Sequence, residues 1–487
     1  MELNTLLLGL SWLYAIANTA LAIFGLNLFY LLGLAIYHWR ASLSSPALLV
    51  NEWPTVLVQL PVYNERYVIE RLIDAAAALD YPPDRLRIQV LDDSTDDTTD
   101  KAAARVAYHR ARGTPIEYLH RQARTGYKAG ALAEGMAAAP GEFMAVFDAD
   151  FIPPPDFLRR MIPHFNEYPR IGMVQARWGY LNAEQTIITR AIALATDNIF
   201  AVDHVARGGA GLLLNFNGSA GILRRACVEE AGGWSADTLV EDFDLSYRAQ
   251  IAGWRIRYCS DIVVPSELPA SVLALKQQQF RWVKGSIQVV RKLTGPLLRS
   301  RLSPLQKVQG LLHLAGYFPS LLMVFSLLFS LPVVLLHGQT PIHWSLLGVA
   351  MLAPPLAIIW GQSRLRHDWH ISWLNYPALF LLGLGLSVSN TSAIVSAFYG
   401  RKNVFVRTPK FAGADLRKNA YALSVDWSAW VELLLAIYGF GTGYLALFMA
   451  PALAPFIFMY ALGFGFTAVL GFWQSGRVHF SKKQQKD

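Results

Sequence analysis

Three close pairs of acidic residues stand at positions where they could do chemistry. Asp148 and Asp150 are separated by one residue and follow an apolar run, so their carboxylates could hold a divalent cation against a diphosphate. A solvated turn before the following prolines would contain the same residues. Glu241 and Asp242 open a helical pattern, where acidic residues stabilise the helix N-terminus, but together with Asp244 they make three acids in four residues, more than capping requires.

The third pair, Asp92-Asp93, stands before Ser94 at the end of another apolar run. This position fits a ligand-binding loop. It fits equally a turn with a helix N-cap, since Asp and Ser are common at both. The pair by itself leaves both interpretations open.

Residues 277–282 combine amides, a cation and an indole within six positions. Arg281 could clamp phosphate oxygens, and Trp282 offers a flat apolar face for a sugar ring. Tryptophan and arginine are also typical of a membrane interface, which is the alternative interpretation of this motif.

These side chains must be positioned by the polar segment 51–305, in which strand-like and helix-like patterns alternate. Two of the strand patterns end at Asp92 and at Asp148. The alternation predicts a parallel α/β sheet with acidic residues at one edge. Ligands bind at the carboxyl ends of parallel strands, so this edge is the expected binding site. The strand patterns cover 55–60, 87–91, 116–119 and 142–147, and the helix patterns cover 65–79, 95–108 and 128–138.

The whole chain is too apolar for an ordinary soluble enzyme, because 53% of its 487 residues are hydrophobic and only 16% are charged. Residues 4–37 carry no charge and are long enough to cross a bilayer, which predicts a retained membrane anchor and not a cleaved signal peptide. Further apolar stretches lie near 312–336, 343–360, 429–449 and 452–473, with a less uniform one at 371–398.

Basic residues cluster where the chain leaves these stretches, for example at Arg40, Arg291, Arg401 and in the C-terminal tail. By the positive-inside rule these places are cytoplasmic. The net charge of +8 is therefore explained by the membrane topology of the chain and by contact with anionic membrane lipid. No nucleic-acid partner is expected. Cys227 and Cys259 lack metal-site spacing and are predicted to be core residues.

The ordered motifs resemble the processive family 2 glycosyltransferases of the cellulose synthase superfamily: Asp92-Asp93, then a DxD motif, then Glu241-Asp242, then QxxRW. Two positions depart from that pattern. Val240 stands before the acidic pair where Thr is usual, and Ser219 replaces a Thr but retains the hydroxyl. The surrounding strings look most like the cellulose synthase-like A type that makes mannan or glucomannan: PVYNE (61–65), GYKAGA (126–131), QARW (175–178), FNGSAG (216–221) and EAGGW (230–234).

The resemblance implies a domain plan. An N-terminal anchor at 1–45 would precede an α/β glycosyltransferase A-type (Rossmann-like) cytoplasmic domain at 46–290. An interfacial helix at 291–310, an α-helical transmembrane domain at 311–473 and a basic cytoplasmic tail at 474–487 would follow.

The segment from Val404 to Lys410 is similar to the gating loop of cellulose and hyaluronan synthases, which places a gating-like loop at 399–425. A plain basic loop beside the membrane is the alternative. A cytoplasmic loop requires an even number of crossings between the catalytic domain and residue 400. We therefore predict that 371–398 is an interfacial or re-entrant helix.

The resemblance also implies roles for individual residues. Asp242, with Glu241, would be catalytic, and Asp148 and Asp150 would bind Mg²⁺ or Mn²⁺. The nucleotide sugar would contact Tyr63, Glu65, Asp92, Asp93, Lys128 and Asp148. The acceptor would contact Trp178, Asn217, Ser219, Gln278, Arg281 and Trp282, and the gating loop would act through Phe405, Arg407, Thr408 and Lys410.

The implied function is an inverting, metal-dependent, processive synthase that polymerises and translocates a β-linked hexose glycan: mannan, glucomannan or glucan. Its donor would be GDP-mannose or UDP-glucose. The alternative is a single-addition enzyme of the same superfamily that glycosylates ceramide, diacylglycerol or a polyprenyl phosphate. A channel with a nucleotide sensor is a weaker alternative, because it would not need Asp242 beside an acceptor-binding motif.

Overall fold

The computed structural model describes residues 2–43, 52–337, 345–399 and 427–484. The gating-like segment lies outside these residues. Its predicted members, Phe405, Arg407, Thr408 and Lys410, therefore stay predictions.

A seven-stranded sheet forms the centre of the polar segment, in the spatial order β3-β2-β1-β4-β6-β5-β7. The first four strands are parallel, and the apolar residues of β1, β2 and β4 are buried on both faces, as is usual in parallel sheets. Strand β6 runs antiparallel to β4 and β5, so the sheet is mixed. The strands are β1 (Val56–Val62), β2 (Leu86–Asp92), β3 (Ile116–His120), β4 (Phe143–Val146), β5 (Ile171–Tyr180), β6 (Gly221–Arg224) and β7 (Arg255–Ser266).

Helices cover both faces of the sheet and continue into the apolar part of the chain. Helix α6 passes directly into a π-helix, Ile199–His204, which leads to α7. The helices are α1 (Glu2–His38), α2 (Ile69–Ala77), α3 (Thr98–Arg110), α4 (Tyr127–Ala138), α5 (Phe157–Met161), α6 (Ile187–Asn198), α7 (Val205–Gly209), α8 (Arg225–Glu230), α9 (Glu241–Ile251), α10 (Val272–Arg299), α11 (Pro304–Leu314), α12 (Phe318–Leu328), α13 (Ser330–Leu335), α14 (Ser345–Ala350), α15 (Ala353–Leu365), α16 (Trp369–Ser372), α17 (Tyr376–Phe398), α18 (Ser428–Met449) and α19 (Ala454–Gln484).

Strand register brings the loops that follow β1, β2 and β4 to one edge. Val62 at the end of β1 lies opposite Asp92 at the end of β2, and Gln59 of β1 lies opposite Val146 of β4. The acidic pairs that follow β2 and β4 therefore share the edge where open α/β sheets bind ligands.

Five helical segments of the described chain are long and apolar enough to cross a membrane, judged by length and composition: Asn4–Ser42, Phe318–Leu335, Trp369–Phe398, Ser428–Met449 and Ala454–Ser475. They indicate a multi-pass integral membrane protein.

Three expected segments differ from the structure. Helix α10 continues through position 290 to Arg299, because its apolar periodicity is unbroken there, so no separate interfacial helix begins at 291. The stretch 343–360, expected to be one span, contains the end-to-end short helices α14 and α15 in its described part. The segment 371–398 is instead dominated by one continuous helix, α17, which is long enough to span.

A buried ion pair joins the sheet domain to the apolar helices. Lys276 of α10 places Nζ 2.6 Å from Oε1 of Glu432 in α18, and both side chains are almost inaccessible. Gln474 of α19 accepts a hydrogen bond at 2.9 Å from the backbone N–H of Val272, the first residue of α10. Both contacts fix the start of α10 against the membrane helices.

Lys276→Met is expected to destabilise the protein by about 3–5 kcal/mol, because it leaves the Glu432 carboxylate buried without its cation. Lys276→Met combined with Glu432→Leu should recover most of that loss. The unfolding midpoint in nanodiscs measures both effects. Arg85→Met, which removes an exposed pair with Glu52, is the matched control and should cost less than about 1 kcal/mol. A double variant no more stable than Lys276→Met would contradict this expectation.

Candidate active site

The loops after β1 and β2 are joined through Asn64, which has a left-handed backbone conformation that Asn tolerates (φ 55°). Its backbone N–H donates to Oγ of Ser94 at 2.7 Å, and its Oδ1 accepts from the N–H of Thr95 at 2.8 Å. The two segments PVYNE and DDS thus form one wall of the candidate site.

Asp92 and Asp93 are both buried and are held by neighbouring side chains. The Asp92 carboxylate accepts from the Tyr118 hydroxyl at 2.6 Å and lies 3.2 Å from Nδ1 of His120. Asp93 receives a bidentate contact from Arg121, with both N···O distances at 2.7 Å. In this arrangement both acids shape the wall, and their predicted contact with the nucleoside stays a prediction.

Tyr63 and Glu65 occupy the same wall. The Arg124 guanidinium lies 3.4 Å above the Tyr63 ring, a cation–π contact, and burial lowers the pKa of Arg124. The Glu65 carbonyl accepts from the backbone N–H groups of Val68 and Ile69, so this residue also starts helix α2.

Lys128 stands at the centre of the acidic residues. Its Nζ is 2.5 Å from Oδ1 of Asp148 and 3.7 Å from Oε1 of Glu241, and it donates to the Gly218 carbonyl at 2.8 Å. Burial alone would lower the pKa of Lys128, but the carboxylates of Asp148, Glu241 and Asp242 raise it above its usual value. The lysine is therefore a half-buried cation that links the end of strand β4 to the start of helix α9.

Asp148 and Asp150 follow β4, and their carboxylates have different surroundings. The Asp148 side chain remains 36% exposed, whereas Asp150 is buried and accepts from the backbone N–H of Glu267 at 3.1 Å. The described residues contain no cluster of three or more metal-ligating side chains. Two carboxylates nevertheless fit Mg²⁺ or Mn²⁺, because such ions commonly take one or two carboxylates and complete their shell with substrate phosphates and water.

Asp242 begins helix α9 and faces the loop that precedes β6. Its Oδ1 accepts from the backbone N–H of Phe243 at 2.8 Å. Burial, and then the neighbouring Glu241 carboxylate, raise the pKa of Asp242 to about 7. A Cβ placed on Gly218 would lie 2.5 Å from Oδ2 of Asp242, so the glycine allows the loop to reach the carboxylate.

The loop Asn217-Gly218-Ser219 contacts several of the predicted residues. Ser219 is fully buried, and its Oγ accepts from the backbone N–H of Asp148 at 2.9 Å. The Trp178 indole donates to the Ser219 carbonyl at 3.4 Å and packs edge-on against Phe151. Ser219 therefore positions Asp148, while its predicted contact with the acceptor stays a prediction.

The QxxRW motif lies on helix α10 and faces the same acids. Burial lowers the pKa of Arg281, while the negative charges of Glu241, Asp148 and Asp242 oppose that effect. Trp282 packs against the cluster that contains Val240, and Gln278, one turn earlier, is half-buried.

Two further side chains have roles that the sequence did not reveal. Gln175 is fully buried on β5, accepts from the backbone N–H of Asn217 at 2.9 Å and donates to the Ser219 carbonyl at 3.0 Å. The third acid of α9, Asp244, pairs with Arg248 of the same helix and with Lys292 of α10, so it packs helices and does no chemistry. The QARW string was the only sequence signal for Gln175.

Sequence comparison supplies the family. The family described as "Glycosyltransferase like family 2" matches residues 54–285. Glucomannan 4-beta-mannosyltransferase 2 of Arabidopsis thaliana is 38% identical over 384 residues, which are 76% of this chain and 70% of that protein. The chain belongs to glycosyltransferase family 2. The predicted family, enzyme class and fold class are confirmed.

A second sequence relative and a solved structure are also similar to this glycosyltransferase. Glucomannan 4-beta-mannosyltransferase 1 of Oryza sativa subsp. japonica is 42% identical over 261 residues, 53% of this chain and 50% of that protein. The solved structure of the mannosyltransferase PcManGT from Pyrobaculum calidifontis, in complex with GDP-Man and Mn²⁺, is 20% identical with a TM-score of 0.51. That match covers 78% of this chain and 100% of that one, and it shows a shared fold.

Gly218→Ala is expected to lower the transfer rate at least about 100-fold, because the new Cβ would displace the Asp242 carboxylate. Gly233→Ala is the matched control. Both glycines have positive φ, +79° and +76°, so both changes carry a similar backbone strain of about 1–2 kcal/mol, but a Cβ at Gly233 has no atom within 4 Å. Initial rates and unfolding midpoints of the two variants separate strain from displacement. Equal rate losses in both would contradict the proposed contact.

Proposed function

We propose that this glycosyltransferase is an inverting, metal-dependent mannosyltransferase that extends a β-linked mannan or glucomannan from GDP-mannose. The observation that carries the proposal is the half-buried Asp242 carboxylate, whose pKa is raised, among the charges of Lys128, Asp148 and Glu241. The similarity to glucomannan 4-beta-mannosyltransferases supports the choice of product.

Asp242 has the properties that a general base needs. Its pKa near 7 leaves about half of the carboxylates ionised at neutral pH, and a base is most effective when its pKa is close to the working pH. It takes the proton of the acceptor hydroxyl while that oxygen attacks the anomeric carbon. The bond from the anomeric carbon to the diphosphate breaks on the opposite face, so an α-linked donor yields a β-linkage.

Asp148 and Asp150 would hold Mg²⁺ or Mn²⁺, and that ion when bound supplies Lewis-acid neutralisation of the departing diphosphate. Lys128 adds a positive charge of the protein itself, 2.5 Å from Asp148. Lys128 also donates to the Gly218 carbonyl, so it fixes the position of Asp148 relative to the loop beside Asp242.

Gln278, Arg281 and Trp282 would hold the acceptor end, with a planar indole suited to a sugar face. Helix α10 carries all three residues and is fixed to the membrane helices at its start. This arrangement supports a product that leaves along the membrane helices. By the positive-inside rule, the catalytic domain would face the cytoplasm, with the basic gating-like segment on the same side.

The experiment that tests the proposal incubates the purified full chain in nanodiscs with Mn²⁺ and either radiolabelled GDP-mannose or UDP-glucose. We expect high-molecular-weight label from GDP-mannose, digested by a β-mannanase and absent with Asp242→Asn. UDP-glucose supplied alone should label little polymer. Label confined to organic-soluble lipid would replace the proposal with a single-addition lipid glycosyltransferase.

The pH dependence of kcat/KM should follow the Asp242 carboxylate, since this parameter reports the free enzyme. Only the ionised base accepts the proton, so kcat/KM should fall about tenfold per pH unit below pH 7 and level off above it. Glu241→Gln removes a neighbouring negative charge and should shift the inflection to lower pH. Glu229→Gln, which changes an exposed acid on α8, should leave it in place. An inflection that rises in Glu241→Gln would contradict the assignment.

A further inference from the structure

His204 ends the π-helix Ile199–His204 and is fully buried behind the acceptor-side loop. Its Nε2 lies 2.7 Å from Oδ1 of Asn217. Asn215 donates to the same oxygen from Nδ2 at 3.2 Å, which makes His204 Nε2 a second donor to it. π-Helical turns often occur at functional sites, because they aim a side chain that a regular α-helix would place elsewhere.

An ion pair lies next to Nδ1 of the imidazole and helps to fix the ring. Arg207 donates from Nε to Asp203 at 2.7 Å, and the second oxygen of Asp203 is 3.8 Å from His204 Nδ1. Arg207 also reaches the Gln309 carbonyl at 3.4 Å, and the Gln309 amide donates to Oδ1 of Asn27 in α1 at 2.8 Å. The position of His204 is thus fixed by polar contacts that extend to the first membrane helix.

These contacts leave the side-chain NH2 group of Asn217 available to a ligand. Its carbonyl accepts two hydrogen bonds and its backbone N–H donates to Gln175, whereas its Nδ2 has no partner in the described part of the chain. Asn217 is only half-buried, and it precedes Gly218, the residue that abuts the Asp242 carboxylate. The side-chain NH2 group of Asn217 therefore belongs to the residue that precedes Gly218 in the same loop, and that loop reaches the Asp242 carboxylate.

We propose that His204 is a positioning residue for the glycan acceptor: it holds the Asn217 carbonyl so that the Asn217 N–H donors engage a sugar oxygen beside Asp242. Sugar hydroxyl and ring oxygens accept hydrogen bonds of this kind. The inference rests on the proposed function, and it adds a side chain that touches no substrate.

The test uses initial rates of the full chain in nanodiscs with GDP-mannose and a β-linked mannotetraose acceptor, together with GDP affinity measured by calorimetry. His204→Leu should raise the acceptor KM about tenfold, the effect of one misaligned hydrogen bond, and leave GDP affinity within about twofold. His204→Gln retains a donor near the Nε2 position and should stay within about threefold of the wild type. His164→Leu is the matched control, since His164 is equally buried but pairs with Glu167 away from the loop.

Asn217→Ala provides the second variant and completes a double-mutant cycle. It should raise the acceptor KM to a similar extent, and His204→Leu should add little to it, because both changes remove the same interaction. If His204→Leu does not fold, Asn217→Ala and His204→Gln still decide the question: a normal acceptor KM in Asn217→Ala overturns the inference. Additive effects, an equal loss of GDP affinity or an equal effect of His164→Leu would also overturn it. Failure of the wild type to bind GDP would contradict the donor assignment instead.

Discussion

The candidate site depends on one half-buried cation, Lys128, among carboxylates. Lys128 lies within 4 Å of Asp148 and Glu241, and the charge of Asp242 also acts on it. Three acids of like charge at the end of a sheet would repel one another and would be costly to bury alone. The ammonium group offsets both effects and, through the Gly218 carbonyl, brings a loop, a strand end and a helix start to one point.

Membrane attachment and chemistry share helix α10. The Lys276–Glu432 pair and the contact from Gln474 hold its first turn, and Arg281 and Trp282 follow within the next two turns. The motif proposed to bind the acceptor is therefore positioned by the membrane helices as well as by the sheet, because a regular helix is stiff along its length. Polar contacts from Asn27 of α1 to Arg207 form a second link between a membrane helix and the sheet domain.

The sequence predicted the first four strands to within about two residues, because short runs rich in apolar residues mark parallel strands, and two of these runs end at acidic residues. It did not predict the antiparallel β6, since strand direction depends on long-range pairing that no local pattern records. The motifs identified the acids, but not that Asp92 and Asp93 would be enclosed by Tyr118 and Arg121. His204 had no sequence signal at all, because a lone histidine in a helical pattern resembles any core residue.

Helix α10 has a mechanical consequence. An α-helix rises about 1.5 Å per residue and does not stretch, so Arg281 lies about 7.5 Å along the axis from Lys276. Lys276 is joined to Glu432, which lies four residues after the start of α18. The depth of Arg281, which we propose to bind the acceptor, is therefore set relative to α18 by helix geometry. That depth does not depend on the length of the glycan, so in the proposed synthase elongation moves the sugar chain past this residue.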